Sequence, residues 1–486
     1  MSALRYYVQT MGCQMNVHDS DRMGDALRAH GWTETSGPED ADLVVFNTCS
    51  VREKAEQKLR SELGKLAPLK KAKPELVVAV AGCVAQQEGE KLLGRNPHLD
   101  LVIGPDNIPE LPRLALDQRN GALPTARTVF DYDAPQFLAA QPSAIEPTRA
   151  PVSAFVTTMK GCDERCSFCI VPYTRGSERY RPSAEIIAEV QAWVSAGVRE
   201  ITLLGQTVDS FRDDALPPPA SDDPDETQFP ELLRAIAREV PALARLRYTS
   251  PHPRHLTASL IAAHRDLPVL AAHVHMPVQS GSNRILKRMI RRYTREEYLD
   301  RISRLRGAVP GLTLSSDFIV GFPGETDADF EETLALVAEA GFTSLFAFKY
   351  SPRPFTPALK LGDDVTEEKK NERLQRLLAQ VEAQQSAHLA TVVGTEVSVL
   401  VEGLSKTAAD GTLTSYQGRT SRNEIVHIPD CGRALIGEVV RVQVTEAFRH
   451  SLRGDIHPSE ISRLAPKSSE RRTKRSLALV PAPTAG

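Results

Sequence analysis

Short apolar, β-branched runs alternate with helical patterns along most of the chain, and this alternation restricts the fold more than any other feature. In the N-terminal quarter the runs are LRYYVQ (4–9), DLVVFN (42–47), LVVAVA (76–81) and DLVI (100–103). Between them lie DSDRMGDALRAHG (19–31), VREKAEQKLRSELGKL (51–66) and QQEGEKLLGR (86–95), each with helical spacing of apolar residues. Near-continuous apolar strands are those buried on both faces, with the intervening helices as crossovers. The pattern predicts an open parallel α/β sheet.

A stretch without period, DYDAPQFLAAQPSAIEPTRA (131–150), reads as a linker. After it come VSAFVTTM (152–159), ITLLGQ (201–206), LRYTS (246–250), AHVHMPV (272–278), LTLSSDFIV (312–320) and LFAFKY (345–350), again separated by helical segments. Six βα units predict a parallel barrel or part of one, with chemistry at the C-terminal strand ends. The acidic, proline-rich run 213–227 interrupts the pattern as a solvated loop. A long helical segment (367–394) leads to short strands punctuated by glycine: 396–403, 413–428 and 437–448, which fit a small all-β barrel. The expected divisions are an N-terminal domain at 1–122, a linker at 123–147, the βα barrel at 148–383, the β module at 384–460 and a disordered basic tail at 461–486.

The formal net charge of −3 excludes a polycation that coats nucleic acid indiscriminately, so any RNA contact must come from local patches. There is no apolar run of the ~18 residues a membrane span needs, nor an export signal at the N-terminus, and the chain reads as cytoplasmic. Disulfides are rare in that compartment, and clustered cysteines are more often metal ligands or catalysts.

Of seven cysteines, three fall within eight residues, in MKGCDERCSFCIVP (159–172). Cys162, Cys166 and Cys169 lie on a loop directly after a predicted strand, a spacing that wraps three thiolates around one face of a metal centre. Structural zinc would want a fourth ligand, and the next histidine is His252. A ferredoxin run has different spacing and a fourth cysteine. Three buried free thiols and a zinc site completed from elsewhere are the alternatives to an iron–sulfur cluster with one open iron.

Cys13 (QTMGCQMN), Cys49 (FNTCSVREKAE) and Cys83 (VAGCVAQQ) are far apart in sequence, yet each lies just past the C-terminal end of a predicted parallel strand. Such ends share one crevice in an open α/β sheet, so the three thiols are candidates for a second cluster. Taken singly, each would be a small buried hydrophobe.

The triplet with its aromatic Phe168 resembles the CxxxCxxC signature of radical S-adenosylmethionine (SAM) enzymes. There three cysteines hold a 4Fe–4S cluster whose fourth iron chelates SAM, and electron transfer releases a 5′-deoxyadenosyl radical. The whole chain, through MGCQMN, NTCSVREKAEQK, AGCVAQ, KGCDERCSFCIVPYTRG, LLGQTVDSF, HMPVQSGSNRILKRM and DFIVGFPGET, resembles the methylthiotransferases of that superfamily. GRTSRNEIVHI and IGEVVRVQVTEA look like a TRAM domain, an RNA-binding barrel. The resemblance implies an α/β N-terminal domain, a partial (βα)6 radical SAM barrel and a C-terminal TRAM barrel. It also implies two 4Fe–4S clusters, on Cys13, Cys49 and Cys83 and on Cys162, Cys166 and Cys169. Each product would use two SAM molecules, one as methyl donor and one as radical source.

Three branches of the family differ in substrate: N6-isopentenyladenosine at tRNA position 37, its threonylcarbamoyl counterpart, and an aspartate of ribosomal protein S12. NTCSVREKAEQK and PVQSGSNRILKRM resemble the first. That implies a monomer acting on the anticodon loop of isopentenylated tRNA, with a low-potential electron donor and a sulfur source as partners. A different class of reading is an RNA-binding scaffold stabilised by zinc.

Softer candidates remain. Gly205, Gln206 and Asp209 end the second barrel strand and are candidates to line the SAM site. GFPGET (321–326) either approaches SAM or closes a loop. His273 and His275 share one side of a strand, as core histidines or ligands. Lys160 and Arg165 either tune the cluster's charge or are exposed. LKRMIRRYTR (286–295) is a candidate phosphate patch with Tyr293 for stacking. Arg419, Arg422 and RRTKR (471–475) are further RNA candidates, and Cys431 is structural.

Overall fold

Strands β1 (Arg5–Met11), β2 (Thr33–Glu34), β3 (Leu43–Thr48), β4 (Val77–Gly82), β5 (Leu101–Ile103) and β6 (Thr125–Arg127) form a parallel sheet in the order β2-β1-β3-β4-β5-β6. The computed structural model describes residues 3–51, 53–133, 135–138, 150–405 and 415–466. Alternate side chains feed two cores. Val44 and Phe46 pack with Leu59 and Leu63 of the helix Glu53–Ala72, whereas Leu43 and Val45 pack with Met23 and Leu27 of the helix Gln14–Ala29. Burial on both faces is why these strands read as unbroken apolar runs.

Two details depart from the expected pattern. β6 lies inside the segment read as a linker (123–147); it is a strand because its backbone pairs with β5, not because its side chains are apolar. The predicted helix 86–95 is two helices, Cys83–Glu88 and Glu90–Arg95, broken at Gly89.

The second domain carries β7 (Ser153–Thr157), a short hairpin of β8 (Met159–Lys160) and β9 (Arg179–Tyr180), then β10 (Glu200–Leu204), β11 (Arg245–Tyr248), β12 (His273–His275), β13 (Thr313–Val320) and β14 (Ser344–Lys349). Two parallel sheets, β11-β10-β7 and β12-β13-β14, are joined by the bridge Leu246–Leu270 into a six-stranded partial barrel. All six expected barrel strands are present. One apolar core, including Val156, Leu203, Leu246, Val274 and Leu314, ties them to the surrounding helices.

The helix Glu367–Val392 leads to a closed barrel, β15 (Glu396–Leu404), β16 (Ser415–Thr420), β17 (Ile425–Pro429), β18 (Val439–Ala447) and β19 (Leu452–Ile456), in the order β15-β16-β17-β19-β18. This module docks on the N-terminal ends of the βα strands. Arg245 donates to the Arg419 carbonyl at 3.1 Å, Arg247 to the Thr420 carbonyl at 2.9 Å, and Thr313 Oγ1 to the Arg422 carbonyl at 2.7 Å. The Arg419 side chain turns to Asn423 and Glu402, and that of Arg422 to Glu424 at 3.1 Å. The loop that carries these two arginines, expected as RNA candidates, holds two domains together, and both side chains are engaged in ion pairs.

Residues 461–466, expected to belong to the disordered tail, pack on the small barrel. Leu464 is buried, the Ala434 amide donates to the Ala465 carbonyl at 3.0 Å, and Arg433 bridges to Pro466. RRTKR (471–475) lies outside the described residues. The acidic loop 213–227 is anchored at its end, where buried Glu226 accepts from Thr257 Oγ1 at 2.8 Å and Asp225 from Arg254 Nε at 2.8 Å. Cys431 is half-buried against the small barrel's core. Among the described residues, no helix is long and apolar enough to cross a membrane.

His264, on the helix Ala258–Asp266, is buried with Nε2 2.6 Å from the Tyr248 hydroxyl, and burial pulls its pKa from the ordinary 6.5 to about 4. The folded state then stays neutral where the unfolded chain takes up a proton, so stability falls as pH drops from 6.5 towards 4. Urea unfolding at pH 7 and pH 5 should show a loss on the order of 2 kcal/mol attributable to this group. His264→Phe should lack that share, and an unchanged pH dependence in the variant would refute the assignment.

Candidate metal centres and the crevice between them

Cys13 caps the helix Gln14–Ala29 after β1, Cys49 follows β3, and Cys83 opens a helix after β4. The parallel sheet thus brings three sequence-distant thiols to one edge. The turn at Gly82 makes this approach possible: at φ +88° its α-carbon has no room for a side chain, since an added Cβ would lie 2.3 Å from Asn47 Oδ1. Asn47 in turn donates to the Asn16 carbonyl at 2.8 Å, and the Cys13 amide donates to Asn16 Oδ1 at 3.3 Å. Cys49 hydrogen-bonds Cys13; this bond and the nearby Arg175 guanidinium hold the Cys13 thiol down at about 6 despite its burial. Cys49 is pushed up, first by that hydrogen bond and then by burial, and burial pushes Cys83 up. The hydroxyls of Thr48 and Ser50, on either side of Cys49, are buried without a partner.

Cys162, Cys166 and Cys169 lie on the loop after β8. Gly161, at φ +78°, lets this loop pass the hairpin, where a Cβ would lie 2.0 Å from the Ser177 carbonyl oxygen. Cys162 Sγ is 3.0 Å from Thr207 Oγ1, and Arg291 donates to Cys166 Sγ at 3.3 Å. The Cys169 amide donates to the Cys166 carbonyl at 3.0 Å. Burial raises the pKa of both Cys162 and Cys169. Cys49, Cys83, Cys162 and Cys169 resist ionisation until a metal's positive charge offsets the desolvation, so these four suit a cationic centre better than free thiolates. Among the described residues no three His, Cys, Asp or Glu side chains stand close enough to share a single metal ion. A polynuclear cluster asks for a different arrangement, each thiolate on its own iron.

The other candidates divide. Gly205 is pressed against Met159 and Val208, where a Cβ would lie 2.8 and 2.9 Å from their atoms. Gln206 keeps a buried Oε1 without a partner, beside the Thr207 that touches Cys162, and so fits a ligand's polar group. Asp209 does not: its carboxylate accepts the His252 amide at 2.8 and 3.0 Å, tying two strand ends together. Lys160 bonds Asp106 at 3.2 Å across the domain boundary, whereas Arg165 is exposed. His273 and His275 both bond Ser315 Oγ, at 3.0 and 2.9 Å, as satisfied core groups. The GFPGET turn packs on Lys370, and Glu325 pairs with Arg373 at 2.8 Å, which is loop closure. In the expected phosphate patch Tyr293 is only 5% exposed, with its hydroxyl on the Val278 carbonyl, so it cannot stack on a base. Arg291 serves Cys166, and Arg288 donates to the Pro323 carbonyl; Lys287 and Arg292 remain exposed.

Three residues of the site were missed in the sequence. Thr207 gave no signal and Arg291 was read only as part of a phosphate patch, because their contacts join segments far apart in the chain. Arg175, at the end of the helix Val171–Arg175, reaches into the N-terminal domain and pairs with Asp19 at 2.7 Å, both groups buried. Its positive charge also lies near Cys83 and works against the upward effect of burial on that thiol. The Thr157 hydroxyl meets His18 at 3.1 Å, Arg179 and Lys160 share Asp106, and Arg353 reaches Glu56 at 3.3 Å and the Val51 carbonyl at 3.0 Å. Met15, Phe155 and Leu204 fill the seam with Cys13. The C-terminal ends of both sheets therefore face one crevice.

Family models divide the chain as the fold does. Residues 5–104 match the uncharacterized protein family UPF0004, residues 156–337 the radical SAM superfamily, and residues 390–457 the TRAM domain. The class is a radical SAM enzyme, a kind that uses a 4Fe–4S cluster and SAM, extended by a cysteine-bearing α/β domain and a TRAM barrel. The chain is 60% identical over 478 residues to the tRNA-2-methylthio-N(6)-dimethylallyladenosine synthase of Sorangium cellulosum, covering 96% of each. Enzymes of the same name from Bordetella petrii and Neisseria meningitidis are 45% and 44% identical, covering 94% and 93% of this chain and 92% and 99% of theirs. The chain belongs to this family of synthases.

Removing one member of a buried ion pair leaves the other charged and uncompensated, typically at a cost of about 3 kcal/mol or more. Arg175→Met should therefore destabilise the protein by about 3 kcal/mol in anaerobic urea unfolding, and Arg175→Met with Asp19→Asn should recover part of the loss. Equal stability of parent and single variant would show that the pair does not hold the domains.

Proposed function

We propose that this protein methylthiolates C2 of N6-(dimethylallyl)adenosine at position 37 of tRNA, using one cluster on Cys162, Cys166 and Cys169 and a second on Cys13, Cys49 and Cys83. The observation that carries the reading is the anchoring of the second triplet's loop on the domain of the first, through the buried pair of Arg175 and Asp19 and the packing of Phe155 and Leu204 beside Cys13. The shared name of the relatives supports the dimethylallyl substrate over threonylcarbamoyl tRNA or protein S12.

When bound, the clusters and SAM supply a radical that removes hydrogen from an unactivated aromatic carbon and a methylated sulfur to replace it. The chain's own residues position and insulate. Thr207 and Arg291 contact the thiols of Cys162 and Cys166, so the radical-generating loop is held from the end of β10 and from the segment after the helix Asn283–Arg288. Gln206, next to the tightly packed Gly205, offers an unpartnered carbonyl oxygen to SAM. Met15, Phe155 and Leu204 close the seam beside Cys13 to water, which protects a reactive intermediate from side reactions. Arg175 places a fixed positive charge beside Cys13 and Cys83 and favours their ionised, metal-binding forms.

The test is nucleoside mass spectrometry after anaerobic incubation of reconstituted protein with isopentenylated tRNA, SAM and a reductant. The parent should form the 2-methylthio nucleoside. Cys13→Ala should keep SAM cleavage and lose that product, whereas Cys166→Ala should lose both. Full product formation by either variant would overturn the two-cluster reading.

A further inference from the structure

Two exposed aromatic rings stand where the loops of the two triplets meet. Phe355 is 59% exposed and Tyr173 is 41% exposed, with ring centroids 5.9 Å apart and planes inclined at 35°. Phe355 also holds φ at +67°, a left-handed conformation that bulky residues avoid. A large ring kept in water on a strained backbone gives little to folding, and such outliers gather at functional sites.

Their position is set by both cysteine loops. Tyr173 lies four residues after Cys169, on the helix that ends in Arg175. Arg353, two residues before Phe355, bonds the Val51 carbonyl at 3.0 Å, and the Val51 amide donates to Cys49 Sγ at 3.3 Å. On the other side the Ala358 amide donates to the Ser167 carbonyl at 2.8 Å, between Cys166 and Cys169. Ser167 Oγ also donates to the Arg288 carbonyl at 2.8 Å, which brings the exposed Lys287 and Arg292 segment to the same rim.

We propose that Tyr173 and Phe355 form a stacking platform for an unstacked nucleobase of the substrate RNA adjoining the modified adenosine, with Lys287 and Arg292 facing the phosphates; this rests on the tRNA reading above. Single-stranded loops are recognised by stacking splayed bases on aromatic rings, while basic side chains track the backbone. An adenosine drawn into a crevice for chemistry leaves its neighbour without a stacking partner, and exposed rings at the rim replace it.

The experiment uses reconstituted holoprotein and an isopentenylated anticodon stem-loop carrying 2-aminopurine beside the target adenosine. Phe355→Gly should weaken binding roughly tenfold and abolish the 2-aminopurine quenching seen with the parent. Its melting temperature should equal or exceed the parent's, because glycine holds a left-handed φ without strain, and its iron and sulfide content should match. Phe355→Trp should restore affinity and quenching. Binding of Phe355→Gly within twofold of the parent, with quenching intact, overturns the platform. A clearly lower melting temperature for that variant also overturns it, by making the ring structural. If the parent forms the methylthio product while the glycine variant binds normally, the platform alone fails. If the parent neither binds the stem-loop nor forms product, the tRNA reading fails, and a protein substrate takes the rim instead.

Discussion

The buried pair of Arg175 and Asp19 joins two sheets that have no backbone pairing with one another. Arg175 lies six residues beyond Cys169, and Asp19 lies six residues beyond Cys13. Fixing one charge on the other therefore fixes the two cysteine loops within a few residues of their thiols. Ion pairs this deep contribute little over a well-packed apolar contact, but they tolerate no shift, since a displaced charge stays desolvated and alone. Geometry, rather than net stability, is what this interaction secures. Asp106, shared by Lys160 and Arg179, repeats the arrangement on the same boundary.

Electrostatics within each domain follow from the same crowding. Six thiols are distributed at strand ends where burial favours the neutral form for most of them. A guanidinium stands beside each triplet, Arg175 by Cys13 and Cys83 and Arg291 by Cys166. Both arginines keep their charge in this setting, because each is surrounded by acceptors or by groups of opposite sign. Fixed cations beside these thiols favour their ionised form where water does not reach.

Much of this was legible from residue order alone. Strands buried on both faces are spelled as β-branched runs, so the six barrel strands and the central strands of the first sheet followed directly. β6 did not, since its backbone pairing carries no side-chain signature. The cysteines were readable because parallel topology sends strand ends to one edge. The role of basic and polar residues was not. Arg419 and Tyr293 look alike in sequence to surface groups, yet one is spread over an inter-domain contact and the other is buried against carbonyls. Asp209, placed with Gln206 at the same strand end, turned inward to an amide instead of outward to a ligand.

The sequence by itself determined the order of domains, the parallel sense of both α/β sheets and the placing of the thiols after strands, because hydrophobic period and residue type are properties of residues in series. Only the tertiary structure decided which charges face the crevice, that the TRAM barrel sits at the far end of the βα strands, and that Phe355 meets Tyr173 at the rim. Those contacts join residues more than a hundred positions apart, and a long flexible side chain takes its partner from the surrounding fold, not from its neighbours along the chain.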